Sequence, residues 1–127
     1  MLNKKGFTLV EILIIIAIIG ILMSAITISL MSARNRAKDS SFKNVAKSIQ
    51  TALVSCCIKS GTALGNISGG PVCLGGSNYP DASSIETISS GDCNGNSFSK
   101  TITPGKKNNG NCTGAIITTE EIVYSGC

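Results

Sequence analysis

Glu11 is the residue whose position most clearly suggests chemistry. It is the only charged residue between Lys5 and Arg34, and within residues 12–26 only Ser24 is appreciably polar. A helix of about 20 apolar residues is long enough to cross a bilayer. An ionised carboxylate inside such a helix costs several kcal/mol unless it is paired or stays at the membrane interface. The sequence therefore predicts that something compensates the charge of Glu11.

A short basic leader with Lys4 and Lys5 precedes the run Gly6-Phe7-Thr8-Leu9-Val10-Glu11. This arrangement resembles the N-terminal signature of type IV pilins and type II secretion pseudopilins. The resemblance implies that a prepilin peptidase cuts between Gly6 and Phe7 and that the new terminus at Phe7 is N-methylated. It also implies that Glu11 neutralises the α-amine of a neighbouring subunit during filament assembly.

The function implied by this resemblance is that of a structural subunit of a type IV pilus-like surface filament. The precursor would be a single-pass protein of the cytoplasmic membrane. After processing it would join an extracellular homopolymer, which a separate ATPase and platform machinery would assemble. Two alternatives stay open: a pseudopilin of a type II secretion or DNA-uptake apparatus, and a monomeric, membrane-anchored, disulfide-rich binding module. In the last case the N-terminal segment would be an ordinary signal anchor.

The resemblance implies a leader (1–6). Composition and periodicity predict three further parts: a transmembrane or filament-core helix (7–31), an amphipathic helix (32–60) and a small head domain (61–127). In the amphipathic helix, apolar residues recur at three- and four-residue spacing, which predicts one buried stripe. Gly61 is a natural end for this helix. The predicted stripe consists of Phe42, Val45, Ala46, Ile49, Ala52, Leu53, Cys56 and Cys57.

The head contains all three prolines and every glycine except Gly6 and Gly20, a composition that favours strands and loops over long helices. The predicted fold class is therefore α+β, with a long N-terminal α-helix packed against a small antiparallel β-sheet head with disulfides. The predicted strands are 97–103, 114–118 and 121–124, with a turn at 106–111 and a further short strand near 85–88.

All six cysteines lie outside the apolar N-terminal segment. An even number of cysteines in a small exported domain predicts a disulfide framework in an oxidising compartment. The lack of histidine and of any Cys-x-x-Cys pair disfavours a metal site. Six cysteines allow 15 pairings, but neighbouring residues on a helix point about 100° apart, so Cys56 and Cys57 should have different partners. The family resemblance implies a loop closed by Cys112 and Cys127. The disulfide candidates are Cys56, Cys57, Cys73, Cys93, Cys112 and Cys127.

The net charge of +4 is unevenly distributed. Residues 34–59 carry six basic groups and one acidic group, whereas residues 61–127 carry three basic and five acidic groups. This division predicts either a solvated helix face or pairing between the basic helix of one subunit and the acidic head of the next. Nucleic acid is a weaker alternative partner, for which Lys100, Lys106 and Lys107 on an exposed hairpin would be the best-placed residues.

No arrangement of side chains suggests catalysis. The sequence has no histidine, no phosphate-binding Gly-Lys-Ser pattern and no evident nucleophile and base. The chain is therefore not expected to be an enzyme or to need a cofactor.

Overall fold

The computed structural model describes residues 6–60, 63–73 and 75–127 of the chain. A single long helix, α1 (Leu9–Ser60), is followed by the strands β1 (Ile85–Ile88), β2 (Ser99–Pro104), β3 (Gly114–Thr118) and β4 (Ile122–Ser125). The strands form one antiparallel sheet in the order β1-β2-β3-β4. The predicted α+β class is confirmed. The leader lies outside the described residues except for Gly6, as does the predicted helix end at Gly61.

The chain divides into two compact units, with the boundary between Ala33 and Arg34. In the first unit α1 continues without interruption through Gly20. Two of its hydroxyl groups bond to the helix itself: Ser24 Oγ donates to the carbonyl of Ile21 at 2.8 Å, and Thr27 Oγ1 donates to that of Ser24 at 2.9 Å. These bonds satisfy the two side chains without any partner outside the helix.

The second unit, Arg34–Cys127, contains the remainder of α1 and the sheet. The predicted stripe forms the helix side of its core, with Val45 and Ala52 partly buried at the border. The sheet contributes Ile85, Ile102 and Ile117, which are fully buried. This core therefore forms between a helix face and one face of the sheet, as the three- and four-residue spacing predicted.

The predicted strands differ from the observed ones mainly at their ends. β1 and β3 have the predicted bounds. β2 begins at Ser99 because the preceding residues form a tight turn, in which Asn94 N donates to Ser97 O at 2.8 Å and Ser97 N donates to Asn94 O at 3.1 Å. β4 is shifted by one residue and forms the edge of the sheet beside β3.

Asp39 fastens the segment before β3 to the helix. Its side chain is only 9% exposed, and Oδ1 accepts hydrogen bonds from the backbone N–H groups of Asn111 at 2.7 Å and Cys112 at 2.9 Å. Gly110 passes so close that an added Cβ would meet the Asp39 carboxylate and the carbonyl of Asn35. A carboxylate that accepts two amide hydrogen bonds is a strong tether, because charge-assisted bonds are about twice as strong as neutral ones.

Candidate functional site

The N-terminal end of α1 is organised around Thr8 and Glu11. Glu11 Oε2 accepts hydrogen bonds from the backbone N–H and the hydroxyl of Thr8, both at 2.8 Å. In return, Thr8 Oγ1 accepts a 3.3 Å bond from the backbone N–H of Glu11. This reciprocal pattern is a capping box, in which Thr8 caps the helix and Glu11 occupies the third helical position. Glu11 therefore helps to start the helix, in addition to the charge-pairing role that the sequence predicts for it.

The predicted cleavage bond precedes this cap. Gly6 and Phe7 lie before the first helical residue, and both are exposed. A Cβ added at Gly6 would meet nothing within 4 Å, and the Phe7 side chain is 78% exposed. The bond between Gly6 and Phe7 is therefore in irregular, accessible backbone, which is what a peptidase requires.

The helix beyond the cap presents an apolar surface on all sides. Every large apolar side chain from Phe7 to Met31 is 45–80% exposed. Within the part of the chain that the structure describes, α1 is the one helix long and apolar enough to cross a membrane, by length and composition. A helix that is apolar all round is stable only when something else covers it.

A family model for the prokaryotic N-terminal methylation motif matches residues 1–27. The chain is also 56% identical, over 39 residues, to the type IV wide pilus major component PilA4 of Thermus thermophilus. The N-terminal segment of the chain is therefore similar to that of type IV pilins. The match to that relative covers 31% of this chain and 30% of the relative's length, so the likeness concerns less than a third of each protein. No solved structure matches the chain.

The long apolar helix, the antiparallel sheet and the disulfides together form a pilin-like α+β fold. The methylation motif and the curated relative make the N-terminal segment similar to that of a pilin-type or pseudopilin-type subunit. Among the described residues, no group of three or more His, Cys, Asp or Glu side chains could hold a metal ion.

The six cysteines of the chain form three disulfides. The two neighbours on α1 have different partners: Cys56 is joined to Cys73, and Cys57 is joined to Cys93. The first bond ties the C-terminal end of the helix to the segment before β1, and the second ties it to the segment between β1 and β2. The third bond joins Cys112 to Cys127, which is the pairing that the family resemblance implies.

Lys100 does not lie on an exposed hairpin, and this part of the prediction is wrong. Its side chain is only 1% exposed, and Nζ donates to the carbonyls of Ser89 at 2.9 Å and Gly65 at 3.0 Å. Burial lowers the pKa of Lys100, partly opposed by the negative charge of Asp92. Lys106 and Lys107 are exposed, but two lysines alone do not make a nucleic-acid surface with stacking platforms.

Three roles were missing from the sequence-based prediction, although the sequence contained a signal for each. Thr8 and Glu11 have the spacing of a capping box. Asp39 precedes Phe42 by three residues and therefore lies on the buried face of α1. Lys100 lies two residues after Phe98 and two before Ile102. Side chains at this spacing along a strand lie on the same face, which places Lys100 on the buried face of the sheet. In each case the residue is polar or charged, and such a residue is normally expected at the surface rather than in a capping or buried position.

Proposed function

We propose that this chain is the structural subunit of a type IV pilus-like surface filament. It would be trimmed after Gly6, N-methylated at Phe7 and polymerised through its N-terminal helix. The observation that carries the proposal is the helix surface from Phe7 to Met31, which is apolar all round and has one carboxylate at its start. The methylation motif and the name of the Thermus relative support the same proposal.

The apolar surface suits both stages of such a life cycle. In the precursor, a bilayer would cover the helix, since its apolar length is sufficient to span the hydrocarbon core. In the filament, the same helices from other copies would cover it. Transfer from lipid to a helical bundle keeps the apolar side chains away from water at both stages, so the step would depend on packing and on the charged groups.

Glu11 would supply the charged contact. Cleavage after Gly6 would convert the amide nitrogen of Phe7 into a cationic amine. The bonds from Thr8 both use Oε2 of Glu11, so Oε1 is available to accept a bond from the amine of another copy. In an apolar bundle the two charges would compensate each other, and removal of one partner from a buried pair typically costs about 3–5 kcal/mol. A prepilin peptidase, an assembly ATPase and its platform would be the partners in this process.

The test separates the charge of Glu11 from its capping role. Glu11→Gln removes the charge, but glutamine at this position can still complete a capping box. Thr8→Ala removes the cap, at a cost of about 1 kcal/mol, and keeps the charge. Filaments sheared from the cell surface would be quantified for both variants, and the subunit mass would be measured.

We expect Glu11→Gln to lower filament yield by about a hundredfold or more, as a stranded buried charge requires, and Thr8→Ala to lower it by about tenfold or less. The wild-type subunit should begin at Phe7 and carry one methyl group. Normal yield from Glu11→Gln would overturn the charge-pair mechanism. Wild-type protein found only in the membrane, with residues 1–6 intact, would overturn the filament proposal and favour a simple anchor.

A further inference from the structure

The second unit separates its surface charge more strongly than the sequence alone indicates. Asp39 is the one acidic residue among the basic groups of residues 34–59, and it is buried. Lys100 is one of three basic residues among five acidic ones in residues 61–127, and it is also buried. The helix segment therefore buries its one negative charge, and the head buries one of its few positive charges. What remains exposed is a basic helix segment and a head whose outward charge is acidic.

The most concentrated acidic feature of the head is the turn between β3 and β4, which we call the acidic turn (Glu120 and Glu121). Both residues are exposed. Three hydrogen bonds between Thr118 and Glu121, of 2.9, 2.9 and 3.1 Å, hold the turn in one shape. Gln50 Nε2 donates to Thr118 O at 2.8 Å and fixes the turn at the level of Gln50 on α1. Neither carboxylate of the acidic turn has a hydrogen-bond or ion-pair partner among the described residues.

The matching basic feature is the arginine pair, Arg34 and Arg36. Both side chains are exposed, and neither bonds to any described residue. Two of the four lysines on this helix segment are already engaged, because Lys38 Nζ donates to Asn109 O at 3.3 Å and Lys43 Nζ lies 5.4 Å from the ring centroid of Tyr124. Arginine also suits the acidic turn chemically, since a guanidinium can bind a carboxylate through two parallel hydrogen bonds.

The two features cannot meet within one molecule. At 1.5 Å per residue, the arginine pair lies roughly 21–24 Å along α1 from Gln50, which sets the level of the acidic turn. That distance exceeds side-chain reach and the Debye length of about 8 Å at physiological salt. A second, parallel copy displaced by this distance along the helix would bring the features together.

We propose that the acidic turn of one copy binds the arginine pair of another copy of this chain. The proposal rests on the proposed function and names a contact between head and helix within the filament. Because the two surfaces differ, the contact is heterologous and leaves an unused surface of each kind at the two ends of any chain of copies. Contacts of this type propagate into open helical assemblies rather than closing into dimers.

The test uses charge reversal in the full-length chain, and the yield of each variant is compared with that of the wild type in the same cells. R34E/R36E and E120K/E121K each put like charges in contact, and each should lower the yield of sheared filaments by about tenfold. The matched control is K106E/K107E, which changes the net charge as R34E/R36E does but lies in the head. It should leave the yield within about twofold of wild type, as expected for exposed charges that lie outside the proposed contact.

Two quadruple variants then separate specific pairing from net charge. R34E/R36E/E120K/E121K restores opposite charges at the contact and should recover most of the yield. K106E/K107E/E120K/E121K has the same net charge as wild type but keeps the repulsion, and it should assemble as poorly as E120K/E121K. Equal recovery in both quadruples, or normal yield from R34E/R36E, would overturn the contact.

Further measurements distinguish the loss of this contact from a folding defect and from a failure of the proposed function. Migration on a non-reducing gel reports whether the three disulfides have formed, and R34Q/R36Q provides a milder pair of substitutions if the reversals do not accumulate. That variant should still lower the yield, and normal assembly by it would contradict the proposal. If the wild type forms no filaments, the proposed function itself fails. If wild-type filaments form and all charge variants assemble normally, only the inferred contact fails.

Discussion

The two units of this protein treat apolar side chains in opposite ways. In the first, the large apolar side chains from Phe7 to Met31 are all exposed, although this is the most apolar part of the sequence. In the second, Phe42 and Leu53 on the same helix are completely buried. Hydrophobicity alone therefore does not decide burial, because a side chain also needs a surface to pack against. The second unit provides such a surface in its sheet, whereas the large apolar side chains of the first unit stay exposed among the described residues.

From this difference we expect stability and the proposed assembly to depend on different parts of the molecule. The second unit has a small core, which domains of this size usually supplement with covalent bonds. Its disulfides and buried polar contacts should set its stability, whereas changes in the first unit should affect insertion and assembly. Substitutions in one unit that spare the other would sharpen the comparison, and effects that spread to both would contradict it.

The largest effect is expected from the disulfide that closes the longest loop. Cys57 and Cys93 are 36 residues apart, whereas Cys112 and Cys127 are 15 apart. In the chain-entropy model, these bonds contribute about 4 and about 3 kcal/mol respectively. The double substitution Cys57→Ser/Cys93→Ser should therefore destabilise the second unit more than Cys112→Ser/Cys127→Ser. Segment-resolved hydrogen exchange in detergent would measure this as faster exchange in β2 and β3.

The first unit serves as the internal control for that measurement. Exchange of the amides of α1 before Ala33 should be the same in the wild type and in both double-serine variants. Faster exchange throughout α1 would show that the two units unfold together, and it would break the comparison. A larger effect from the shorter loop would instead indicate that loop closure does not govern the contribution of these bonds.

The second prediction concerns the buried carboxylate of Asp39. Asp39→Ala leaves the backbone N–H groups of Asn111 and Cys112 without their acceptor, and we expect a loss of about 2–4 kcal/mol in the free energy of unfolding. Asp39→Asn keeps an oxygen at the same place and should cost about half as much, because only the charge assistance is lost. Hydrogen exchange of the β3 amides, which reports the free energy of unfolding of the second unit, would compare the two variants. Equal losses would mean that the negative charge matters more than the acceptor geometry.

Asp39 also shows where prediction from the sequence succeeds and where it ends. The helix stripe, β1 and β3 could be predicted because they depend on local spacing. The same spacing places Asp39 and Lys100 on buried faces, but a charge is normally expected at the surface. Their burial depends on the amides of Asn111 and Cys112 and on the carbonyls of Gly65 and Ser89, which lie far away in the sequence. Such partners are known only once the chain is folded.

The smallest expected effect is a pH dependence confined to the second unit. Tyr79 is buried, and its hydroxyl donates to the carbonyl of Gly65 at 3.0 Å. Burial raises the pKa of Tyr79 to about 12, compared with about 10 in an unfolded chain. Between these two values the unfolded chain loses the phenolic proton while the folded protein keeps it. The stabilisation from Tyr79 is therefore complete below about pH 10 and is lost as the pH rises towards about 12.

Tyr79→Phe separates this titration from the hydrogen bond. At neutral pH the variant should be less stable than the wild type by about 1 kcal/mol, the usual contribution of one hydrogen bond. This difference should shrink above about pH 10, because phenylalanine cannot ionise in the unfolded chain. Burial also raises the pKa of Tyr124, so the variant should keep part of the alkaline destabilisation. A constant difference between the two proteins from neutral to alkaline pH would show that Tyr79 ionises as readily in the folded protein as in the unfolded chain.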